Sequence, residues 1–466
     1  MKLGARNSFR SPVRVPNASL RNEFRAPSGC RHSGQKPDPP LETARRFFTL
    51  VRPVAFYSDR SCPTTLRPVA ITGAGILTSM GADLAENAAG FRAGRTAFRP
   101  VDLFDVSRQR VGTAGQAELP DSVPGISRKA WLRMDRGTRM AFLAAREALE
   151  MAGLSGGDMP VMIGTSAAAM PVGEQYYLQA VEGESRRHQF LRVESYQPQH
   201  QMAAMMRALG VRGPLRILSN ACASGANAIG HAFQLVSEGK AERVLAGGYD
   251  ALSQLVFAGF DSLQALSPSG IPRPFDAARD GLALGEGAGF VLVESLDAAK
   301  ARGAAVMARI LSYAAATDIH HLTQPHPEGD AALNTMVKAT RAAGLEPEQI
   351  DYINSHGTGT PLNDVAEARA ISRWAGAATP KIRVSSTKSS IGHLLGGAGS
   401  VESVICLLTL RDQFLPASLN VREIDPVVEF DLVQQPREAV VKTVLTNSFG
   451  FGGANATLIF QKEDSR

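Results

Sequence analysis

Leu215-Arg216-Ile217-Leu218-Ser219-Asn220-Ala221-Cys222-Ala223-Ser224-Gly225-Ala226-Asn227-Ala228-Ile229-Gly230 passes from an apolar run, through small residues, into an amphipathic period that reaches about Val236. It reads as a strand, a tight turn and a helix, with Cys222 at the apex, the elbow geometry of nucleophilic enzymes. A helix N-terminus offers unpaired N–H groups and partial positive charge, which favour thiolate over thiol. Small neighbours leave room for a carbonyl to reach the sulfur. A free cysteine is otherwise a small buried hydrophobe, so the rest of the chain has to decide between the two.

Its bulk properties narrow the field. With 466 residues, 44% hydrophobic and 20% charged, the chain has material for a large globular core. It has no apolar stretch of membrane-spanning length. Cys30, Cys62, Cys222 and Cys406 are too scattered for a disulfide framework and suit a reducing compartment. The net charge of +6 is a property of the leader: through Arg67 the chain carries eleven Arg and two Lys against Glu23, Asp38, Glu42 and Asp59. The remainder is mildly acidic and has no basic stripe with interleaved aromatics, which argues against a nucleic-acid partner.

Residues 1–66, rich in Arg, Ser and Pro, read as a disordered extension, either dispensable or upstream of the true start. They also have the composition of an organellar transit peptide; without one, the expected location is the cytoplasm. The folded body opens at Pro68-Val69-Ala70-Ile71-Thr72-Gly73-Ala74-Gly75, an apolar run ended by glycines that reads as a strand feeding a loop. Strand-like runs at 161–163, 215–219, 244–247, 290–294, 308–313, 352–354, 383–385 and 456–460 follow. They alternate with helical periods at 138–151, 223–236, 332–343, 364–374 and 400–411. That alternation predicts α/β layers with mainly parallel pairing. The strand, small-residue loop and helix around Cys222 echo Val384-Ser385-Ser386-Thr387-Lys388 leading through Gly396-Gly397-Ala398-Gly399 to the helix at Ser400. Two such halves, 67–304 and 305–466, would bring both loops to one site.

Three more loops combine small residues with chemistry. They are Asn354-Ser355-His356-Gly357-Thr358-Gly359-Thr360-Pro361, Ser386-Thr387-Lys388-Ser389-Ser390-Ile391-Gly392-His393 with Glu402 beyond, and Asn447-Ser448-Phe449-Gly450-Phe451-Gly452-Gly453-Ala454-Asn455. With Arg273-Pro274-Phe275-Asp276 and Leu284-Gly285-Glu286-Gly287-Ala288-Gly289, they give a chain that, from about Arg67 to Gln461, resembles the β-ketoacyl–acyl carrier protein synthases of the elongating Cys-His-His branch. The resemblance implies a thiolase-like fold of two related halves in five layers, α/β/α/β/α. It also implies an acyltransferase of fatty acid or polyketide biosynthesis, dimeric, with acyl carrier protein as partner. Substrates ride on that protein's phosphopantetheine arm, and no cofactor or metal is implied.

The same resemblance distributes roles. Cys222 takes the acyl chain from its thioester, in a ping-pong scheme. The backbone N–H groups of Cys222 and Phe451 hold the tetrahedral oxyanion. His356 and His393 stabilise the enolate left when malonyl–carrier protein loses carbon dioxide, His356 also taking part in decarboxylation; which ring holds which proton stays open. Lys388 pairs with Glu402 and sets the local field. Thr358, Thr360 and Thr323 bind the phosphopantetheine arm, Phe449 and Phe451 form a gating loop, and Phe260 lines the acyl pocket. Ala454, Asn363, Ser355 and the run Ala167-Ala168-Ala169-Met170 depart from the usual pattern, so a specialised polyketide or polyene synthase stays open beside fatty acid elongation.

Other readings fall short. A thiolase needs a second cysteine in the C-terminal glycine-rich loop, and 447–455 has none, while Cys406 falls inside a helix. The starter-condensing branch carries Asn where His393 stands. Thr72-Gly73-Ala74-Gly75-Ile76-Leu77-Thr78 is only a partial dinucleotide fingerprint. His320, His321 and His326 lack the accompanying ligands of a metal site. The alternative from another class is a non-catalytic subunit that sets chain length in a ketosynthase heterodimer. Such homologues lose the nucleophile, commonly to Gln; Cys222, His356, His393 and Lys388 all stand here.

Overall fold

The computed structural model describes residues 66–183 and 189–463. The basic extension, with Cys30 and Cys62, lies outside them but for its last residue. In chain order the elements that position the site are β1 (Val69–Thr78), α1 (Arg136–Met151), β2 (Val161–Gly164), α2 (Met170–Val181), β3 (Leu215–Leu218), α3 (Ser224–Ser237), β4 (Arg243–Asp250), α4 (Gln254–Ser262) and β5 (Gly287–Ser295). The second series is β6 (Ala308–Thr317), α5 (Asp330–Ala343), β7 (Tyr352–Asn354), α6 (Pro361–Ala375), β8 (Arg383–Ser385), α7 (Ala398–Asp412), β9 (Asp431–Leu432), β10 (Thr443–Gly450) and β11 (Ala454–Gln461).

These strands hydrogen-bond in the order β9-β8-β7-β10-β11-β6-β1-β5-β4-β2-β3. Read outward from its middle, the series repeats. One side runs β1-β5-β4-β2-β3 and the other β6-β11-β10-β7-β8, each the first, fifth, fourth, second and third strand of its half, with β9 added at the far edge. The halves join through a short antiparallel contact, Val69 with Ile310, Ala70 with Arg309 and Ile71 with Ala308. Between the two sheet halves lie α3, packed on β2, β4 and β5 and also on β6 and β11, and α7, packed on β4, β5 and β10. On the outer faces α1 covers β1, β4 and β5, while α5 covers β6 and β11 and carries α6. The result is the five-layer, thiolase-like α/β/α/β/α arrangement.

Composition explains who sits in the middle. From Ala398 to Leu410 every residue of α7 is buried, and all but Glu402 are apolar, small or hydroxyl-bearing, so the helix belongs inside. Its crossing with α3 depends on missing side chains. A Cβ on Gly225 would lie 2.7 Å from Ser400 N, and one on Gly399 2.8 Å from Ala226 N.

Two expectations are corrected. Pairing is mixed rather than mainly parallel: β2 runs parallel to β3 and β4, and β7 to β8 and β10, but β5 and β11 run antiparallel to both their neighbours. β2, β4, β5 and β11 are buried on both faces along most of their length, which erases the alternation that marks an antiparallel strand. Nor do the glycines end β1. It continues to Thr78, and Gly73 and Gly75 are where α1 lies against it: a Cβ at either would come 2.0 Å from the carbonyl oxygen of Ala148 or Ala144.

Candidate active site

The elbow forms as the sequence suggests. Between β3 and α3, Ala221 takes a left-handed backbone (φ 52°), unusual for a residue with a Cβ. Ser224 closes the turn: its Oγ donates to Ala221 O (2.6 Å) and accepts from Asn220 N (2.9 Å). Cys222 is buried at 8% exposure, with the Phe451 N–H directed at its sulfur. Burial pushes the thiol up to about 12; the Lys388 charge and the Phe451 N–H oppose that without reversing it. Desolvation thus favours the thiol, against the helix N-terminus that the sequence reading took to favour thiolate.

The two imidazoles come from the other half. His356 follows β7, and His393 lies between a single helical turn, Lys388–Ile391, and α7. Their ring centroids are 5.3 Å apart and nearly perpendicular, at 85°. The Leu395 N–H donates to His393 Nδ1 (3.1 Å), so the proton of the neutral His393 ring is on Nε2. The N–H groups of His356 and Gly357 donate to the Glu367 carboxylate on α6, at 2.8 and 2.7 Å. Burial, and then the Lys388 charge, hold both imidazoles well below the ordinary histidine range. Both shifts favour the uncharged ring over the cation.

Lys388 is buried and paired with Glu402 of α7. Burial pushes the Glu402 carboxyl up to about 7 against the pull of Lys388. Cys406, one turn further along α7, is buried, and its thiol is pushed up for the same reason.

Cys222, His356 and His393 open into one cleft of about 330 Å³, along with Phe449, Phe451, Phe260, Thr323, Thr358 and Thr360. Phe260, on α4, stacks on Phe451 with centroids 6.0 Å apart, and Phe449 lies 5.6 Å from the His356 ring. The Thr358 and Thr360 hydroxyls are hydrogen-bonded to each other at 2.8 Å. The Thr323 N–H donates to His321 Nδ1 at 3.2 Å. His320 and His326 contact each other outside the cleft lining. Among the described residues, no group of three or more His, Cys, Asp or Glu side chains is placed to hold a metal ion.

Sequence reasoning missed the buried acids that shape these loops. Asp364 accepts from the N–H groups of Phe275 (2.9 Å) and Thr358 (3.0 Å), and Glu367 holds the His356 turn. Their spacing, three apart at the start of a helix that follows a glycine-rich loop, was the available signal.

A thiol and two neutral imidazoles at the seam of a thiolase-like fold define a condensing acyltransferase. Residues 66–299 match the beta-ketoacyl synthase N-terminal domain and residues 307–422 the C-terminal domain, so the chain belongs to the β-ketoacyl synthase family. The 3-oxoacyl-[acyl-carrier-protein] synthase 2 of Synechocystis sp. is 39% identical over 409 residues, covering 84% of this chain and 98% of that protein. The ishigamide ketosynthase/chain length factor superposes with a TM-score of 0.78 at 32% identity, covering 86% of this chain and 100% of that one. A type II polyketide ketosynthase, solved with its acyl-carrier protein and bound to a hexaketide, gives 0.76 at 25% identity, covering 85% of this chain and 100% of that one.

Proposed function

We propose that this chain is a β-ketoacyl–acyl carrier protein synthase that loads an acyl chain on Cys222 and condenses it with malonyl–acyl carrier protein. The observation that carries the reading is the meeting of Cys222, His356 and His393 in one buried cleft, with the Phe451 N–H aimed at the sulfur. The Cys222 sulfur attacks the acyl thioester carbonyl, and the Cys222 and Phe451 N–H groups hold the resulting oxyanion. The carbon–sulfur bond to the phosphopantetheine arm breaks; that thiol leaves with the proton Cys222 gave up. Malonyl–carrier protein follows. Its carboxylate departs as carbon dioxide, and the electron pair moves onto the thioester oxygen as an enolate. His393 Nε2–H and the His356 ring stabilise that oxygen, His356 also assisting decarboxylation. The enolate carbon then attacks the acyl carbonyl on Cys222, the new carbon–carbon bond forms, and the sulfur leaves and regains a proton.

Lys388 adds to burial in keeping the imidazoles neutral, and Glu402 pairs with Lys388 and holds it in place. Thr358, Thr360 and Thr323 hydroxyls line the approach of the phosphopantetheine arm, Phe449 and Phe451 gate the acyl pocket, and Phe260 lines it. No resident cofactor or metal enters the scheme. The halves divide at residues 67–304 and 305–466.

The partners are acyl carrier protein and a second ketosynthase-type subunit, either a copy of this chain or a homologue. For the second, the support is an uncovered edge. β3 ends the sheet with Leu215, Ile217 and Leu218 incompletely buried, and α2 buries no residue and exposes Tyr177, Leu178 and Val181. No helix among the described residues is long and apolar enough to cross a membrane, and we place the reaction in the cytoplasm.

The test is intact mass after incubation with a panel of acyl–carrier proteins. An adduct is expected on the wild-type chain and none on Cys222→Ala. His393→Ala should still acylate but decarboxylate malonyl–carrier protein about 100-fold more slowly. No adduct with any chain length, from folded protein, would transfer the assignment to a non-catalytic, chain-length-setting subunit.

A further inference from the structure

We propose that Asp250 is a positioning residue for this reaction: its carboxylate holds the 395–396 turn whose backbone dictates which nitrogen of His393 bears the proton. The inference rests on the reading of His393 as a donor to the enolate oxygen.

Asp250 closes β4 and is 0% exposed. Its hydrogen-bond partners come from both halves of the molecule. From the loop after β2, its oxygens accept from Thr165 Oγ1 (2.5 Å), Ser166 N and Oγ (both 3.0 Å), Ala167 N and Ala168 N (both 2.9 Å). From the other half it accepts Gly396 N at 2.6 Å, on the same oxygen that Ser166 uses. Each side of this junction contains an L residue in the left-handed region, Ala168 (φ 47°) and Leu395 (φ 50°). Such backbones persist only where the surroundings over-determine them. At Leu395 the held conformation does chemical work: its N–H is the one that occupies His393 Nδ1.

A backbone N–H can only donate, so while Leu395 stays in place His393 Nδ1 must be the acceptor and Nε2 the proton carrier. Release of the 395–396 turn frees the ring to take either tautomer, and one of them turns a lone pair toward the enolate. Asn at position 250 matches the shape but not the function. Both oxygens of Asp250 face N–H or O–H donors, so an amide NH₂ meets a donor in either orientation. The site is also too tight for the turn to adjust, since a Cβ on Gly397 would lie 3.0 Å from Asp250 N. Ser166 Oγ lies 3.5 Å from Ala221 O, so the same carboxylate borders the nucleophile's elbow.

The experiment uses the full chain with ¹⁵N-labelled histidine, the His393 resonances assigned by comparison with His393→Ala. In the wild type, His393 should show a non-protonated Nδ1 and a protonated Nε2 between about pH 6 and 8. A proton on Nδ1 in the wild type overturns the proposal with no variant needed. Asp250→Asn should show both tautomers. Its kcat for decarboxylation of malonyl–carrier protein should fall at least about tenfold, with KM within about twofold and acylation of Cys222 retained. If Asp250→Asn does not fold, Gly396→Ala displaces the same turn, because its Cβ would come 2.5 Å from Ser166 N, and should give the same tautomer mixture. A variant with wild-type tautomer and kcat overturns the role of Asp250. If His393→Ala loses decarboxylation in the same series, the reading of the site survives that failure; if His393→Ala keeps it, both fall together.

Discussion

The third strand of each half leads into a central helix, and the two connections have diverged as far as their strands have stayed alike. In the first half, β3 reaches α3 through residues 219–223, an abrupt elbow that leaves Cys222 at the helix start. In the second, β8 reaches α7 through residues 386–397, long enough for a helical turn bearing Lys388, the loop of His393 and a 3-10 turn. In the proposed reaction the first connection presents the nucleophile Cys222, and the second presents His393, one of the two imidazoles. A repeated scaffold thus carries two different sets of side chains into one cleft, and the difference resides in connection length rather than in strand order.

Substitutions at each connection test how far the two act separately. The largest effect is expected at the short connection. Cys222→Gln should lower condensation by on the order of 10³ or more while decarboxylation of malonyl–carrier protein continues, because His393 of the long connection and His356 beside it are intact. Loss of both activities would show that the two connections do not act separately. Next comes the long connection's buried cation. Lys388→Met should cost about 3–5 kcal/mol in urea denaturation, as expected when one member of a buried pair is removed. The sign of its pH dependence follows from Glu402, pushed up to about 7 while Lys388 is present. Without that charge the carboxyl holds its proton to higher pH, so the loss should be smaller at pH 6 than at pH 8; equal losses would move the cost from charge to packing.

The third prediction concerns the thiol itself. With Cys222 pushed up to about 12, its thiolate fraction rises throughout the neutral range. Alkylation by iodoacetamide, followed by mass, should accelerate about tenfold per pH unit from pH 7 to 9 without a plateau; a plateau by pH 8 would mean that the helix N-terminus prevails over burial. The smallest effect belongs to the seam between the connections. Gly225→Ala should destabilise by about 1–3 kcal/mol, measured by thermal or urea unfolding, because its Cβ would meet Ser400 N at 2.7 Å. An unchanged midpoint would mean that α3 and α7 can separate freely.

How much of this was legible in the sequence depended on whether the information was local. Elbow, helices and most strands were visible because periodicity and small-residue punctuation act over a few neighbours. β10 was not: Asn447, Ser448 and Phe449 look like loop residues, yet Asn447 is buried in a strand, its Oδ1 accepting from Thr457 Oγ1 (2.8 Å). Strand direction was hidden because burial on both faces looks the same for β4 and β5. The motif residues Cys222, His356 and His393 stood out, and the structure brings them into one cleft. Asp250, Asp364 and Glu367 did not, because their partners are largely backbone N–H groups, which leave no trace in residue identity.

The antiparallel junction of β1 with β6 spans only three residue pairs, while α3 and α7 are clasped between the halves along their length. Chain continuity and mechanical continuity therefore take different routes through the molecule. Gly303, in the turn that carries the chain from one half to the other, has a left-handed backbone (φ 68°), and a Cβ built there meets nothing within 4 Å. A backbone cut at that turn would sever the covalent thread without touching the clasp, and two fragments would remain one machine.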